Sequence, residues 1–530
     1  MDDARTPDEI PRPPRRTERV SQVRSFTLVG VEARPVCVEV TVQNGYPRTA
    51  IVGLPDLSVR ESRERVEAAI KASGLPFPDR RITINLSPAE IPKEGPIFDL
   101  PVALAILAEE GQVPRTELGR WAIAGELALD GEVRPVRGVL AMAMETAGRT
   151  SGRCLMVPGD NAMEAACVEG VIVAPVGSLR EAVDVVRGRT PARIVPAPRV
   201  DASTPRSDVG DLADIRGQRI ARRALEIAVA GGHNLLLIGP PGTGKSLLAQ
   251  RIPSILPPMT HRESLETTLI YSAAASVPAG DGLLRTRPFR APHTSISGPG
   301  LIGGGRGPRP GEVSLAHNGV LFLDELPEFA PSTLNLMRQP LEEGEVTIVR
   351  VHGAARFPAR FILVAAMNPC PCGFLGDPRK ACRCSPTRIQ HYRGRVSGPL
   401  LDRIDLHIEV PRVSLDALSG DRDGESSANV RRRVIAAREL QQRRFEKELG
   451  IHTNAQMSLR HLLTHAQPDG RGRVLLKMAG DRMGFSGRAF HRVMRVARTI
   501  ADLEGAADVG EKQIAEAIGY RVLDRQGPMV

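Results

Sequence analysis

The stretch LLLIGPPGTGKS (Leu235–Ser246) decides the architecture. Four consecutive apolar residues without alternation fit a strand buried on both faces, the kind found in parallel sheets. The strand runs into Gly239-Pro240-Pro241-Gly242-Thr243-Gly244-Lys245-Ser246, which matches G-x-x-x-x-G-K-[ST], and then into the helical text LLAQRI. Glycines there let backbone N–H groups turn inward around phosphates, and the helix N-terminus adds its dipole. In this pattern Lys245 reaches the β- and γ-phosphates and Ser246 ligates Mg²⁺. ATP and Mg²⁺ are therefore the expected cofactors.

Working outward, Val320–Leu323 is a second buried strand, ending in Asp324 and Glu325. Asp324 is placed to hold the Mg²⁺ shell, and Glu325 to orient or deprotonate an attacking water. A third apolar strand, 361–366, runs into Asn368, whose amide suits positioning that water. Further on, Arg403 in LLDRID could complete a neighbouring subunit's site as an arginine finger; the alternative is a surface ion pair with Asp402 or Asp405. Arg488, opening the helix AFHRVMRVARTIADL, is the candidate second γ-phosphate sensor, with Arg492 competing.

Strands separated by helices around this motif predict an α/β fold with a doubly wound parallel sheet. The chain of 530 residues divides into a disordered extension (1–22), an α+β N-terminal domain (23–190), a Pro/Arg/Ser-rich linker (191–212), the ATPase core (213–412) and a helical C-terminal lid (425–525). In the first domain 60–73 reads as a helix with Val66, Ala69 and Ile70 on one face. No apolar run is long enough for a membrane span, and the N-terminus lacks the apolar core of a secretory signal, so a cytoplasmic protein without a membrane partner is expected. The net charge of +10 permits a polyanionic partner, while only 3% aromatic residues disfavours base-stacking platforms. Contacts to a nucleic acid would be mostly to its backbone.

Cys370, Cys372, Cys382 and Cys384 lie close together in the chain. Zn²⁺ held by four thiolates is one reading, with His391 as a substitute ligand; reduced cysteines or a redox pair is the other. Cys37, Cys154 and Cys167 are scattered and read as buried small hydrophobes.

Together with RPFRAPHTSIS (Arg287–Ser297), GEVSLAHNGVLFLDELPEF (Gly311–Phe329), AAMNPCPCG (Ala365–Gly373) and GRAFHRVMRVARTIADL (Gly487–Leu503), these motifs resemble the AAA+ branch that contains Mg-chelatase subunits and MCM helicases, and within it the ComM/YifB group of Mg-chelatase-like ATPases. The resemblance implies a ring-shaped, hexameric ATPase and a DNA motor promoting branch migration when incoming strands recombine in natural transformation. The alternative is a chelatase-type motor remodelling a protein partner. The N-terminal text, with VGLPDLSVRESRERVEAAI, IPKEGPIFDLPVALAIL and GELALDGEVRPVRGVL, resembles the ribosomal S5/Lon-protease fold. In Lon-type proteases the segment corresponding to Pro92–Pro96 is followed by the nucleophilic Ser; Ile97 and Phe98 stand there, and Val139, Leu140 and Ala141 hold the place of the catalytic Lys. Apolar side chains offer no nucleophile, so a structural role is expected.

Residues 344–361 read as two β-like runs around Gly353, a hairpin carrying Arg350, His352 and Arg356. In MCM-like motors a hairpin in this place carries a basic residue that contacts DNA, so the resemblance makes these three the DNA candidates. Glycine-rich 298–311, with Arg306 and Arg309, reads as a second mobile loop or a flexible surface insertion.

Overall fold

The computed structural model describes residues 20–148, 154–192, 194–196, 210–277, 282–305, 308–350, 353–413, 424–448, 450–521 and 523. The chain divides into two compact units, Met1–Leu28 with Ala33–Pro198, and Val29–Glu32 with Arg199–Val530.

The first unit is built on a seven-stranded sheet in the order Arg48–Val52, Arg81–Ser87, Glu32–Gln43, Ser21–Val29, Trp121–Ile123, Cys154–Pro158, Ile172–Val176. Period-two patterning makes it: Val38 and Val40 lie opposite Leu86 and Ile84 of the antiparallel neighbour, and all four are buried. Helix Leu57–Ala72 begins where the Asp56 carboxylate accepts the Val59 N–H at 2.7 Å, and it buries Val66, Ala69 and Ile70, the expected face. Helix Asp99–Glu109 is apolar nearly all round and buried nearly all round. Ile97 and Phe98 are buried, as are Val139, Leu140 and Ala141 at the start of helix Val139–Ala147.

Two expectations change in this unit. Residues 1–19 lie outside the described residues, but Ser21 and Gln22, assigned to the disordered extension, begin a strand. Ser21 is buried, and its N–H donates to Glu109 Oε1 at 2.7 Å; the alternation of Ser21, Val23 and Ser25 on the inner face extends the strand past the first apolar residue. Cys167 is buried, whereas Cys37 and Cys154 are only half-buried: Cys37 alternates with the buried Val36 and Val38 and so takes the outer face, and Cys154 is the first residue of a strand otherwise buried throughout.

The second unit centres on a parallel five-stranded sheet in the order Phe289–Arg290, Val320–Leu323, Ile362–Met367, Leu235–Ile238, Leu406–Glu409. Its unbroken apolar text has a direct cause. Leu235, Leu237, Val320, Phe322, Val364 and Ala366 enter one core, while Leu236, Ile238, Leu321, Leu323, Leu363 and Ala365 enter another on the opposite face. Helix Arg219–Gly231 and the C-terminal helices Ser427–Arg444, Leu459–His465, Gly470–Met483, Gly487–Glu504 and Glu511–Gly519 contribute to the first core. Helix Gly487–Glu504 starts with Ser486 Oγ accepting from the Ala489 N–H at 3.2 Å and ends at Gly505, φ +69°. Leu212, placed in the linker by its sequence, is buried here, and its N–H donates to Ser427 Oγ at 2.7 Å.

Residues 298–305 and 308–311 are more structured than a loop. Gly298–Ile302 is a helical turn capped by Ser297, and Gly303–Gly304 pairs antiparallel with Arg309–Pro310. Glycine is needed at 303: a Cβ would stand 2.5 Å from the Arg309 carbonyl oxygen, at φ +104°. Arg306 lies outside the described residues.

Candidate functional site

All five strands run the same way, so their carboxyl ends form one edge. Leu235–Ile238 delivers Gly239–Ser246 to that edge, Val320–Leu323 delivers Asp324, and the strand between them delivers Asn368. The loop turns through Gly242 (φ +75°) and Gly244 (φ +87°), then opens helix Lys245–Gln250. Thr243 Oγ1 donates to the Pro240 carbonyl at 3.0 Å, which closes the turn on itself.

The Lys245 ammonium is buried inside this turn. It donates to the Gly239 carbonyl at 2.7 Å, the Pro240 carbonyl at 2.9 Å and Asn368 Oδ1 at 3.2 Å. Burial pulls its pKa below the ordinary lysine value, and the negative charges of Asp324 and Glu325 oppose that pull. A half-desolvated cation held by neutral oxygens is suited to a polyanion, which would supply the missing counter-charge. Ser246 Oγ donates to Asp324 Oδ2 at 2.6 Å, so a hydroxyl and a carboxylate of the kind that binds hard cations already meet. Glu325 is exposed, in the left-handed region at φ +52°, and its N–H donates to Asp324 Oδ1 at 2.9 Å. A non-glycine residue held there is a local strain of the sort found at functional sites.

Arg403 and Arg488 lie elsewhere. Arg403 follows helix Gly398–Leu401, just before the strand Leu406–Glu409, and so sits at the amino-end edge. Asn234, which precedes the loop-bearing strand, donates through Nδ2 to the Arg403 carbonyl at 2.9 Å. That four-residue strand, at about 3.3 Å per residue, separates this edge from Gly239 by roughly 13 Å. The guanidinium of Arg403 is buried against Glu342 and the Pro399 carbonyl. Its partner is thus neither Asp402 nor Asp405, the pairings weighed from the sequence. Arg488 is exposed and 4.0 Å from the same Glu342. Both arginines therefore converge on one carboxylate beside a cavity of about 450 Å³ at the amino ends of the strands, lined in part by Glu342, Arg403, Asp405 and Arg492.

Arg492, the competing sensor, is committed differently. It donates to Asp405 Oδ1 at 2.6 Å, while the Asn234 N–H donates to Asp405 Oδ2 at 3.0 Å. Burial disfavours the ionised Asp405, but Arg492, His233 and Arg495 outweigh it and hold the carboxyl well below the usual carboxylate range. This pair ties helix Gly487–Glu504 to the sheet. Asp405→Ala, which leaves a buried guanidinium unpaired, is expected to cost about 3–5 kcal/mol, read as an earlier midpoint in urea unfolding; an unchanged midpoint would show that the pair is not structural.

The hairpin read from residues 344–361 is present, as Glu345–Arg350 pairs antiparallel with Gly353–Pro358. Arg356 lies exposed opposite Thr347, and Val349 is also exposed. His352 and the side chain of Arg350 lie outside the described residues. The four neighbouring cysteines do converge: their sulfurs all lie within 4.8 Å of one another, and His391, exposed on helix Pro386–Gly394, is not in the group.

Two contributors were invisible in the sequence. Gln218 Nε2 donates to the Pro411 carbonyl at 2.6 Å and the Thr243 carbonyl at 3.4 Å, linking the loop to the end of the last strand. Glu342 stands in the charged run LEEGE, with nothing local to single it out. Only its meeting with Arg403 and Arg488 does.

Comparison with known families and proteins agrees with this geometry. The family described as "Magnesium chelatase, subunit ChlI" matches residues 211–418, "Subunit ChlI of Mg-chelatase" matches 38–161, and "Magnesium chelatase, subunit ChlI C-terminal" matches 424–521. The chain is 43% identical over 509 residues to competence protein ComM of Haemophilus influenzae, covering 95% of this chain and 97% of that one. It is 41% identical over 507 residues to the uncharacterized protein YifB of Escherichia coli, covering 96% and 98%. Over 141 residues it is 32% identical to Lon protease 2 of Bacillus subtilis, a quarter of each chain.

Proposed function

Because the chain belongs to the ComM/YifB family of Mg-chelatase-like AAA+ proteins, we propose that it is a Mg²⁺-dependent, ATP-hydrolysing ring motor that acts on DNA as a helicase, promoting branch migration when incoming strands recombine. The observation that carries the ATPase is the convergence of Lys245, Ser246, Asp324 and Asn368 at one sheet edge, with Glu325 beside them. Lys245 and the loop N–H groups hold the triphosphate, Ser246 and Asp324 hold Mg²⁺, and Asn368 and Glu325 position and deprotonate the water. The bound Mg²⁺ would supply charge neutralisation on the phosphates.

Arg403 and Arg488 stand about one strand length from their own loop, which supports their acting on a neighbouring copy's triphosphate. A site completed that way requires an assembly of copies, and a closed homohexameric ring is the form proposed. Glu342 would hold the two arginines until a phosphate competes for them. DNA as the substrate is supported by the net charge of +10, by the exposed Arg356 on the hairpin and by the relative named a competence protein.

The deciding experiment is the ATPase rate with and without branched or single-stranded DNA, at low salt, where contacts to phosphate are strongest. Stimulation of about tenfold that fades with added salt is expected. A rate indifferent to every DNA tested would move the assignment to the remodelling of a protein partner. No hydrolysis at all would remove the motor.

A further inference from the structure

We propose that Cys370, Cys372, Cys382 and Cys384 bind one Zn²⁺ as four thiolates, and that this metal braces the turn carrying Asn368 against the phosphate loop. The cysteine pairs come from two ends of one loop, yet their sulfurs meet. Cys370 Sγ is 3.4 Å from Cys372 Sγ and 3.7 Å from Cys382 Sγ, and Cys372 Sγ is 3.6 Å from Cys382 Sγ. A tetrahedral ion with Zn–S bonds of about 2.3 Å sets its sulfurs about 3.8 Å apart, close to these values. A disulfide needs about 2.05 Å, so no pair here is bonded. The Cys384 N–H donates to Cys382 Sγ at 3.4 Å. Such a donor suits concentrated thiolate charge, as N–H groups bonded to ligand atoms do at metal sites. Arg379, Lys380 and Arg383, in the same loop, offset the net negative charge of four thiolates on one dication. On binding, each thiol gives up its proton to solvent, so affinity falls as pH falls.

The site is wired to the nucleotide edge by three observations. Cys370 stands two residues after Asn368, the partner of Lys245. Gly373 lies so close to Pro241 of the phosphate loop that a Cβ would stand 2.5 Å from its ring. Directly after Cys384, Ser385 caps helix Pro386–Gly394, whose Arg393 donates to the Pro369 carbonyl at 3.1 Å. A metal joining Cys370 to Cys384 therefore closes a frame around Asn368, adding a link to the helix contact and to the Arg412–Asp377 ion pair (2.6 Å) that also hold the loop. The brace rests on the nucleotide reading above; the zinc site does not.

The test uses the full-length protein. Elemental analysis of protein purified without chelators is expected to give one zinc per chain, and Co²⁺ exchanged into the site is expected to show thiolate-to-cobalt charge-transfer absorption with tetrahedral d–d bands. Zinc-free protein whose thiols all react with a thiol reagent would overturn the site. For the brace, affinity for a non-hydrolysable ATP analogue and kcat are measured before stripping, after stripping and after Zn²⁺ is returned. A fall in kcat of about 10–100-fold, restored by Zn²⁺, is expected, and unchanged values for both would overturn the brace. Where stripping unfolds the chain, exchange of the larger Cd²⁺ into the intact site gives the graded version, with the same fall expected in smaller measure and an unchanged kcat counting against the brace. No nucleotide binding by any form would sink the ATPase reading and the brace with it, while the metal content would still decide the site.

Discussion

Arg403→Ala is expected to lower the steady-state rate of ATP hydrolysis by about a thousandfold or more, with ATP affinity changed far less. The guanidinium is planar and permanently charged, and it lies at the amino-end edge, so on the proposed reading its benefit would fall on a triphosphate presented by another copy of the chain. Because Arg403 is also buried against Glu342, lost packing alone could lower activity. Mixing separates the two effects. Arg403→Ala subunits keep Lys245, and Lys245→Ala subunits keep Arg403, so a ring containing both has some interfaces with each part intact. Activity of the mixture above that of either variant alone is the expected result. Mixtures that never exceed the separate variants, at any ratio, would show that Arg403 does not act across an interface.

Glu325→Gln is expected to reduce kcat by about 10²–10⁴-fold while ATP still binds. The change keeps shape and removes the group that can accept a proton. It also removes a negative charge beside the triphosphate, so affinity should hold or rise. Asp324 accepts the Glu325 N–H, and that bond does not depend on the side chain at 325, so the turn should survive. Single-turnover hydrolysis alongside nucleotide binding measures both quantities. A hydrolysis rate near that of the unaltered protein would transfer the base to another group. Loss of binding together with hydrolysis would point instead to a disturbed turn.

Much of this molecule was legible because the signals were local. The phosphate loop needs only glycines at fixed offsets between a strand and a helix, and residues 235–250 carry that whole pattern in one stretch. The three inner strands of the parallel sheet were readable because burial on both faces leaves no room for alternation, whereas the edge strands Phe289–Arg290 and Leu406–Glu409 were not read. Misreadings arose where polarity and burial part company. Ser21 and Gln22 look like tail but enter a sheet, where a backbone hydrogen bond to Glu109 matters more than side-chain polarity. Residues 298–311 look like a flexible tract, yet Gly303 and Gly311 serve a close backbone approach.

Taken alone, the chain of residues settled what the chemistry could use: a lysine and a serine after a glycine turn, an acidic pair at the tip of a strand, an amide at the tip of another, four thiols in one loop. Folding settled which of them meet. Strand order puts the Asn368 strand between the other two and so brings its amide to Lys245, while the reversed direction of the loop ends brings Cys370 and Cys372 to Cys382. It also gave Asp405 to Arg492 and Glu342 to Arg403, pairings between segments 87 and 61 residues apart. The reason is physical. Periodicity reports how each element is solvated, whereas the choice of neighbour is made by the packing of whole faces against one another, and an arginine's local text is the same whichever carboxylate that packing brings to it.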